Sequence, residues 1–267
     1  MGFFLLLSFS VSFVLCAPGY SHFLSRPFVN FYAVGLPTVA PAGLATALPA
    51  TEGRVRILHA PSHRAGKGTA GIRAAIEALL AEGLPIDYME ISGQPNFDVF
   101  NAIKRCDFVV DQLYSDTPMA AFAAEAALIG KPAVVGSYYY DRGRVDITPD
   151  HLPPSLWCHP DSIQDAIRQL VTDPTERERL GQQAHMFVTS RWTPRAVAGN
   201  LLRIIQGRAD DWVIDPANVE NLTGIGLPEQ VAREHVAAVI DHEGVAALGL
   251  SHSPALERQF LEFSGRA

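Results

Sequence analysis

Several common signatures are missing from this chain. Its three cysteines, Cys16, Cys106 and Cys158, stand far apart, are odd in number and form no C-x-x-C pair. That argues against a disulfide framework or a cysteine zinc site and points to a reducing compartment. No G-x-S-x-G is present, so the nucleophile elbow of an α/β-hydrolase is absent. There is no D-x-D to carry a diphosphate-bridging metal. A broad basic face is lacking as well: the net charge is -7 and the pI about 5.7, which argues against a general nucleic-acid footprint.

Charge is also absent at the start. No Asp, Glu, Lys or Arg precedes Arg26, and the chain opens on the apolar stretch "MGFFLLLSFSVSFVLCAPG". A secretory leader needs a basic n-region, and a membrane span needs about 20 apolar residues, more than this serine-interrupted run supplies. Two readings stay open: a leader or anchor, and a buried strand and helix end. The second is expected, with residues 1–50 packing as a partial layer.

What is present has an order. With 267 residues and 48% hydrophobic content, the chain is long enough for one large domain or two smaller ones at about 150 residues each. From Val55 to Ile205, short apolar runs alternate with helical stripes. Strands are expected near 55–59, 86–91, 107–111 and 132–135, with a short one in "SLWCH". Between them lie helical patterns such as Ile72, Ala75, Ile76, Leu79 and Leu80, and "MAAFAAEAALIG", which should stop at Gly130. Further helices are expected at 162–171, 174–190 and 194–206, and two modest ones start at Pro228 and Pro254. This alternation predicts an α/β fold with a doubly wound parallel sheet. Such sheets bind ligands at the carboxyl ends of their strands, beside helix N-termini. The loops at 59–68, 92–95, 111–118 and 136–150 are therefore the ones of interest.

Two stretches carry candidate chemistry. In "HAPSHRAGKGT", Arg64 and Lys67 sit in a tight turn between strand and helix. It is not a Walker A motif, because Pro61 stands where a glycine is needed and Gly68 follows the lysine. Still, a guanidinium, an ammonium and a helix N-terminus suit a diphosphate; an ordinary solvated turn is the competing reading. In "AAEAALIGKPAVV", Glu125 lies in a helix feeding a buried strand, where it is either a solvated helix-face carboxylate or an acceptor for a ribose diol. His59 reads as a packed strand-end residue, since no carboxylate is spaced to complete a zinc site with it and His63.

Together these stretches resemble the nucleotide-sugar-binding half of GT-B glycosyltransferases of the retaining family 4 type. Lys67-Gly68 matches the family's Lys-Gly turn, and one subgroup has an Arg matching Arg64. Glu125-Ala126-Ala127-Leu128-Ile129-Gly130-Lys131-Pro132-Ala133-Val134 matches its Glu-Ala-Met-Ala-x-Gly-x-Pro-Val-Val, and "CDFVVDQ" resembles the strand before it. The resemblance covers about Val55–Ile205. It implies that Arg64 and Lys67 hold the donor diphosphate and stabilise the leaving group, that Gly68 admits the phosphates to the backbone, and that Glu125 binds the ribose. A second family Glu, eight residues before Glu125, normally contacts the sugar. Thr117 stands there, with Asp116 beside it as the substitute.

The resemblance further implies an acceptor-side domain preceding this one. Residues 1–50 are expected to be its remnant, 51–207 the Rossmann-like nucleotide-sugar-binding domain, and 208–267 a helical extension. The expected activity is transfer of a sugar from a nucleoside diphosphate sugar with retention, without metal or cofactor. A non-catalytic nucleotide-sugar-binding module acting with a partner chain is the alternative. Expected partners are a nucleotide sugar and a glycan, lipid or small-molecule acceptor, but no nucleic acid. The expected location is cytoplasmic, with the apolar N-terminus available for peripheral membrane contact.

Overall fold

A computed structural model describes residues 13–42, 53–115, 117–219, 222 and 227–267. Expectations that fall on 1–12, on 43–52 or on Asp116 lie outside the described residues. The elements run β1 (Leu15–Cys16), β2 (Phe28–Asn30), α1 (Phe31–Val34), β3 (Val55–His59), α2 (Thr69–Ala81), β4 (Ile86–Glu90), α3 (Asn96–Arg105), β5 (Phe108–Gln112), α4 (Ala121–Leu128) and β6 (Ala133–Gly136). Then come α5 (Tyr140–Asp146), β7 (Leu156–Cys158), α6 (Ile163–Thr172), α7 (Pro174–Arg191), α8 (Pro194–Ile205), β8 (Val213–Ile214), α9 (Glu229–Glu243) and α10 (Pro254–Ser264).

The expected strands assemble into one five-stranded sheet, in the order β4-β3-β5-β6-β7, with parallel pairing throughout. Its inner strands β5 and β6 carry continuous apolar runs because both faces are covered there. Phe108, Val109 and Val110 of β5 are all fully buried. Val109 faces a cluster built from α3, α4 and α7, while Phe108 and Val110 face one built from α2 and α6. Ile72, Ala75, Ile76 and Leu79 form the buried stripe of α2 that the sequence pattern anticipates. Each of the isoleucine and leucine side chains contributes about 1.5–3 kcal/mol when fully buried.

Helix ends follow local chemistry. Asp173 caps α7, its Oδ1 accepting from the Glu176 N–H at 2.9 Å, and Pro174 fills the first helical position. After α4 the chain stops at Gly130, whose N–H donates to Ala127 O at 2.9 Å while that of Lys131 donates to Ala126 O at 3.0 Å. Two elements go beyond the expectation. Residues 140–146 form α5 within what reads as a loop, and residues 213–214 of the C-terminal extension form a strand.

That strand belongs to a second small sheet, β1-β2-β8, which joins the N-terminal segment to the segment after α8. Beside it, the segment after β2 is strapped to the α7–α8 junction. The Thr38 N–H donates to Trp192 O at 2.9 Å, and Asn200 donates to Val34 O at 3.0 Å. Trp192 is 1% exposed and shares a cluster with Tyr32 of α1. The described part of the N-terminal segment thus packs as a layer. Trp192→Ala should lower stability by about 3–5 kcal/mol, as truncating a buried tryptophan does. A fall in the urea unfolding midpoint at unchanged slope is the expected reading.

Candidate functional site

The loop after β3 is bound more tightly to itself than an open anion cradle would be. The N–H of Gly66 donates to His63 Nδ1 at 2.9 Å. Those of Lys67, Gly68 and Thr69 donate to the carbonyls of His63, Ala65 and Arg64, each at 3.0 Å. An anion here would therefore be held mainly by side chains and by the first turn of α2. Gly68 caps that helix with φ +68°, a left-handed conformation that favours glycine. It also lies against β5: a Cβ at Gly68 would come 2.5 Å from Leu113 Cβ. The Leu113 N–H donates to Lys67 O at 2.9 Å. On the other side of Leu113, a Cβ at Gly136 would stand 2.4 Å from the Leu113 carbonyl oxygen. The ends of β5 and β6 and the turn before α2 are thus locked together at the sheet's carboxyl edge.

Both expected cations are paired. Lys67 Nζ donates to Asp111 Oδ1 at 3.0 Å, with the two side chains 19% and 1% exposed. Arg64 Nε donates to Glu90 Oε1 at 3.0 Å from an exposed position. Arg73 of α2 grips the same carboxylate with two bonds of 2.7 Å, and the Tyr88 hydroxyl adds a contact at 3.3 Å. Arg73 and then Arg64 outweigh burial and hold the Glu90 carboxyl down to about 2. Tyr88 and Arg73 had no place in the sequence-based site, because β4 sits beside β3 only in the folded sheet.

Asp111, also without an assigned role from sequence, lies where β5 falls out of register with β6, between the pairs Val110↔Val134 and Gln112↔Val135. Bulges of this kind re-aim a side chain. Beneath it, buried His59 bridges β5 and α2, with Nδ1 at 2.8 Å from Val110 O and Nε2 at 2.9 Å from Thr69 Oγ1. Burial outweighs the neighbouring charges and moves His59 toward the neutral form. It is a packed strand-end residue, as expected.

Glu125 is half-buried in α4. Its Oε1 accepts from Asn96 Nδ2 at 2.8 Å, and Asn96 opens α3 just after the loop that leaves β4. Burial raises the Glu125 carboxyl, Asn96 opposes this, and the negative charge of Asp111 adds to the rise. Thr117 is engaged locally: its hydroxyl donates to Met119 O and accepts from the Met119 N–H, both at 3.2 Å. Among the described residues no group of three or more His, Cys, Asp or Glu is placed to hold a metal ion, and no helix is long and apolar enough to cross a membrane.

The Glu90 hub makes a pH prediction. Its carboxyl is depressed from 4.5 to about 2, so its contribution to stability is present in full above about pH 4.5 and is lost as pH falls toward 2. Thermal melts should find Glu90→Gln less stable than wild type at neutral pH, with the two melting temperatures converging as pH approaches 2. A gap that stays constant across that window would contradict this.

No protein-family model matches the chain, and no curated protein matches it by sequence. Solved structures give low-level likenesses. A variant of TarM from S. aureus, in complex with fondaparinux, alpha-GlcNAc-glycerol and UDP, aligns at TM-score 0.44 and 11% identity over 62% of this chain and 39% of its own. Sucrose-phosphate synthase from Thermosynechococcus elongatus aligns at 0.43 and 17% over 66% and 50%. The catalytic domain of starch synthase IV from Arabidopsis thaliana, bound to ADP and acarbose, aligns at 0.41 and 12% over 60% and 41%. The chain therefore spans half or less of the length of each of these chains.

Proposed function

We propose that this chain is the donor-binding part of a GT-B glycosyltransferase of the retaining type, taking a nucleoside diphosphate sugar at the carboxyl edge of its parallel sheet. One observation carries the reading. The lysine of the turn before α2 is paired with the aspartate near the end of β5, and a half-buried carboxylate in α4 accepts from the asparagine that opens α3 after β4. Lys67 meets the phosphates there, and Glu125 accepts from the ribose diol, its second oxygen lying beyond the Asn96 contact on Oε1. Arg64 is exposed and swings from Glu90 to the diphosphate, while Arg73 keeps Glu90 neutralised. In the transfer step, the bond from anomeric carbon to diphosphate oxygen breaks. Arg64, Lys67 and the first turn of α2 stabilise the charge gathering on the departing diphosphate. No metal takes part in this reading, which rests on the lack of a D-x-D in the sequence. By their place in the sequence, Asp116 and Thr117 are the residues assigned to the sugar.

The non-catalytic binding-module reading draws on Thr117, which occupies an expected glutamate position and spends its hydroxyl on Met119.

Calorimetric titration with UDP and GDP tests the assignment. Wild type should bind one of them equally well with and without EDTA. Lys67→Ala should remove a charge-assisted contact of about 1.5–3 kcal/mol, roughly ten- to a hundredfold in affinity. Glu125→Gln should cost less, because the amide keeps one acceptor. Wild type binding neither nucleotide, or Lys67→Ala binding as well as wild type, would sink the donor-site assignment. Binding without sugar transfer in the presence of varied acceptors would favour the module.

A further inference from the structure

Asp111 is a costly residue at its position. It is 1% exposed, directly after three fully buried apolar residues of the same strand. A buried carboxylate kept for the fold normally has both oxygens bonded. Here Oδ1 meets Lys67 Nζ at 3.0 Å, and Oδ2 is buried with no hydrogen-bond partner. The carboxylate therefore serves one group, the lysine ammonium, and leaves an acceptor unused to do so.

The surroundings support that assignment. The register break in β5 frees Asp111 from the regular ladder. The backbone of Lys67 is fixed independently, through its carbonyl to the Leu113 N–H. A lysine stem has four rotatable carbons and an ammonium with three donors. Anchored at its backbone and at one N–H, it has two N–H groups left, and its side chain is 19% exposed.

We infer that Asp111 is a positioning residue: it holds the Lys67 ammonium at the sheet's carboxyl edge by a single-point contact, so that the two remaining N–H groups face the donor's diphosphate. This rests on the reading of Lys67 as a phosphate ligand. The single contact matters. A guanidinium at 67 would fork across both oxygens of Asp111, satisfy Oδ2 and turn its donors inward. The site thus calls for lysine although arginine carries the same charge.

Three variants test this: Asp111→Asn, Lys67→Met and the double substitution, with Lys67→Arg as a charge-keeping control. Melting temperature, UDP and GDP affinity by calorimetry, and the rate at which acetic anhydride modifies Lys67, read by peptide mass spectrometry, are measured for each as applicable. Lys104 and Lys131, the other lysines of the chain, serve as references. Asp111→Asn should bind nucleotide about tenfold more weakly, equivalent to about 1.4 kcal/mol, and add no further loss in the Lys67→Met background. Lys67→Arg should melt no lower than wild type and still bind more weakly. Relative to the references, Lys67 should be acetylated severalfold faster in Asp111→Asn than in wild type, because the amine is released.

Unchanged or tighter binding by Asp111→Asn would overturn the inference, since Asp111 would then compete with the phosphate. A tenfold loss that persists without Lys67 would also overturn it, as would wild-type affinity in Lys67→Arg. If wild type binds no nucleotide, the proposed function fails, and the acetylation rates still decide the positioning: equal Lys67 rates in wild type and Asp111→Asn reject it.

Discussion

The geometry of the candidate site depends on the seat of Leu113. Its side chain and carbonyl occupy space that would belong to a Cβ at Gly68 and at Gly136, and its N–H holds the Lys67 carbonyl. Three segments far apart in sequence meet in that contact: the turn before α2, the end of β5 and the end of β6. Packing this close leaves little slack, because protein interiors are as dense as organic crystals. Lys67 is set beside Asp111 as a consequence. A side chain at Gly68 would push α2 away from β5 and break the ion pair along with the packing.

The charges at this edge fall into two kinds of pairing. Glu90 is a shared hub on edge strand β4, tied to the exposed arginines 64 and 73. Exposed pairs of this kind contribute about 0–1 kcal/mol each, and their side chains rearrange at little cost. The Lys67–Asp111 pair is enclosed. Removing one partner from an enclosed pair is expensive, about 3–5 kcal/mol where burial is complete. The first kind can open to a ligand and the second holds its geometry. An edge built from both offers one mobile guanidinium and one fixed ammonium.

Much of the fold was legible because burial writes periodicity into a sequence. The apolar runs of β3, β5 and β6 and the stripe of α2 are direct records of two covered sheet faces. Asp173 and Gly130 mark helix ends through backbone chemistry that needs no distant partner. Residues 140–146 were less legible. Their helix is short, contains Gly143 and keeps that glycine buried against Trp157 and Tyr139, contacts that only the folded chain supplies. Strand β8 was equally silent, being two residues long and paired with a strand about 185 residues earlier, Phe28↔Ile214.

For the site, the sequence alone determined residue type and order: a lysine-glycine turn between strand and helix, and a carboxylate in the helix after the third strand of the parallel sheet. Those features are local, and local spacing along a strand-helix alternation decides which edge they reach. Tertiary structure alone decided the partners. Asp111 reads from the sequence as one more residue of an apolar strand and Glu90 as part of the strand at 86–91, while Asn96 carries no assignment. Each acquires its role because parallel strands bring residues tens of positions apart to within hydrogen-bond distance, and a register break turns one carboxylate toward a lysine 44 residues earlier in the chain. Pairing across a sheet is set by how the helices pack on both of its faces, and no short stretch of sequence contains that information.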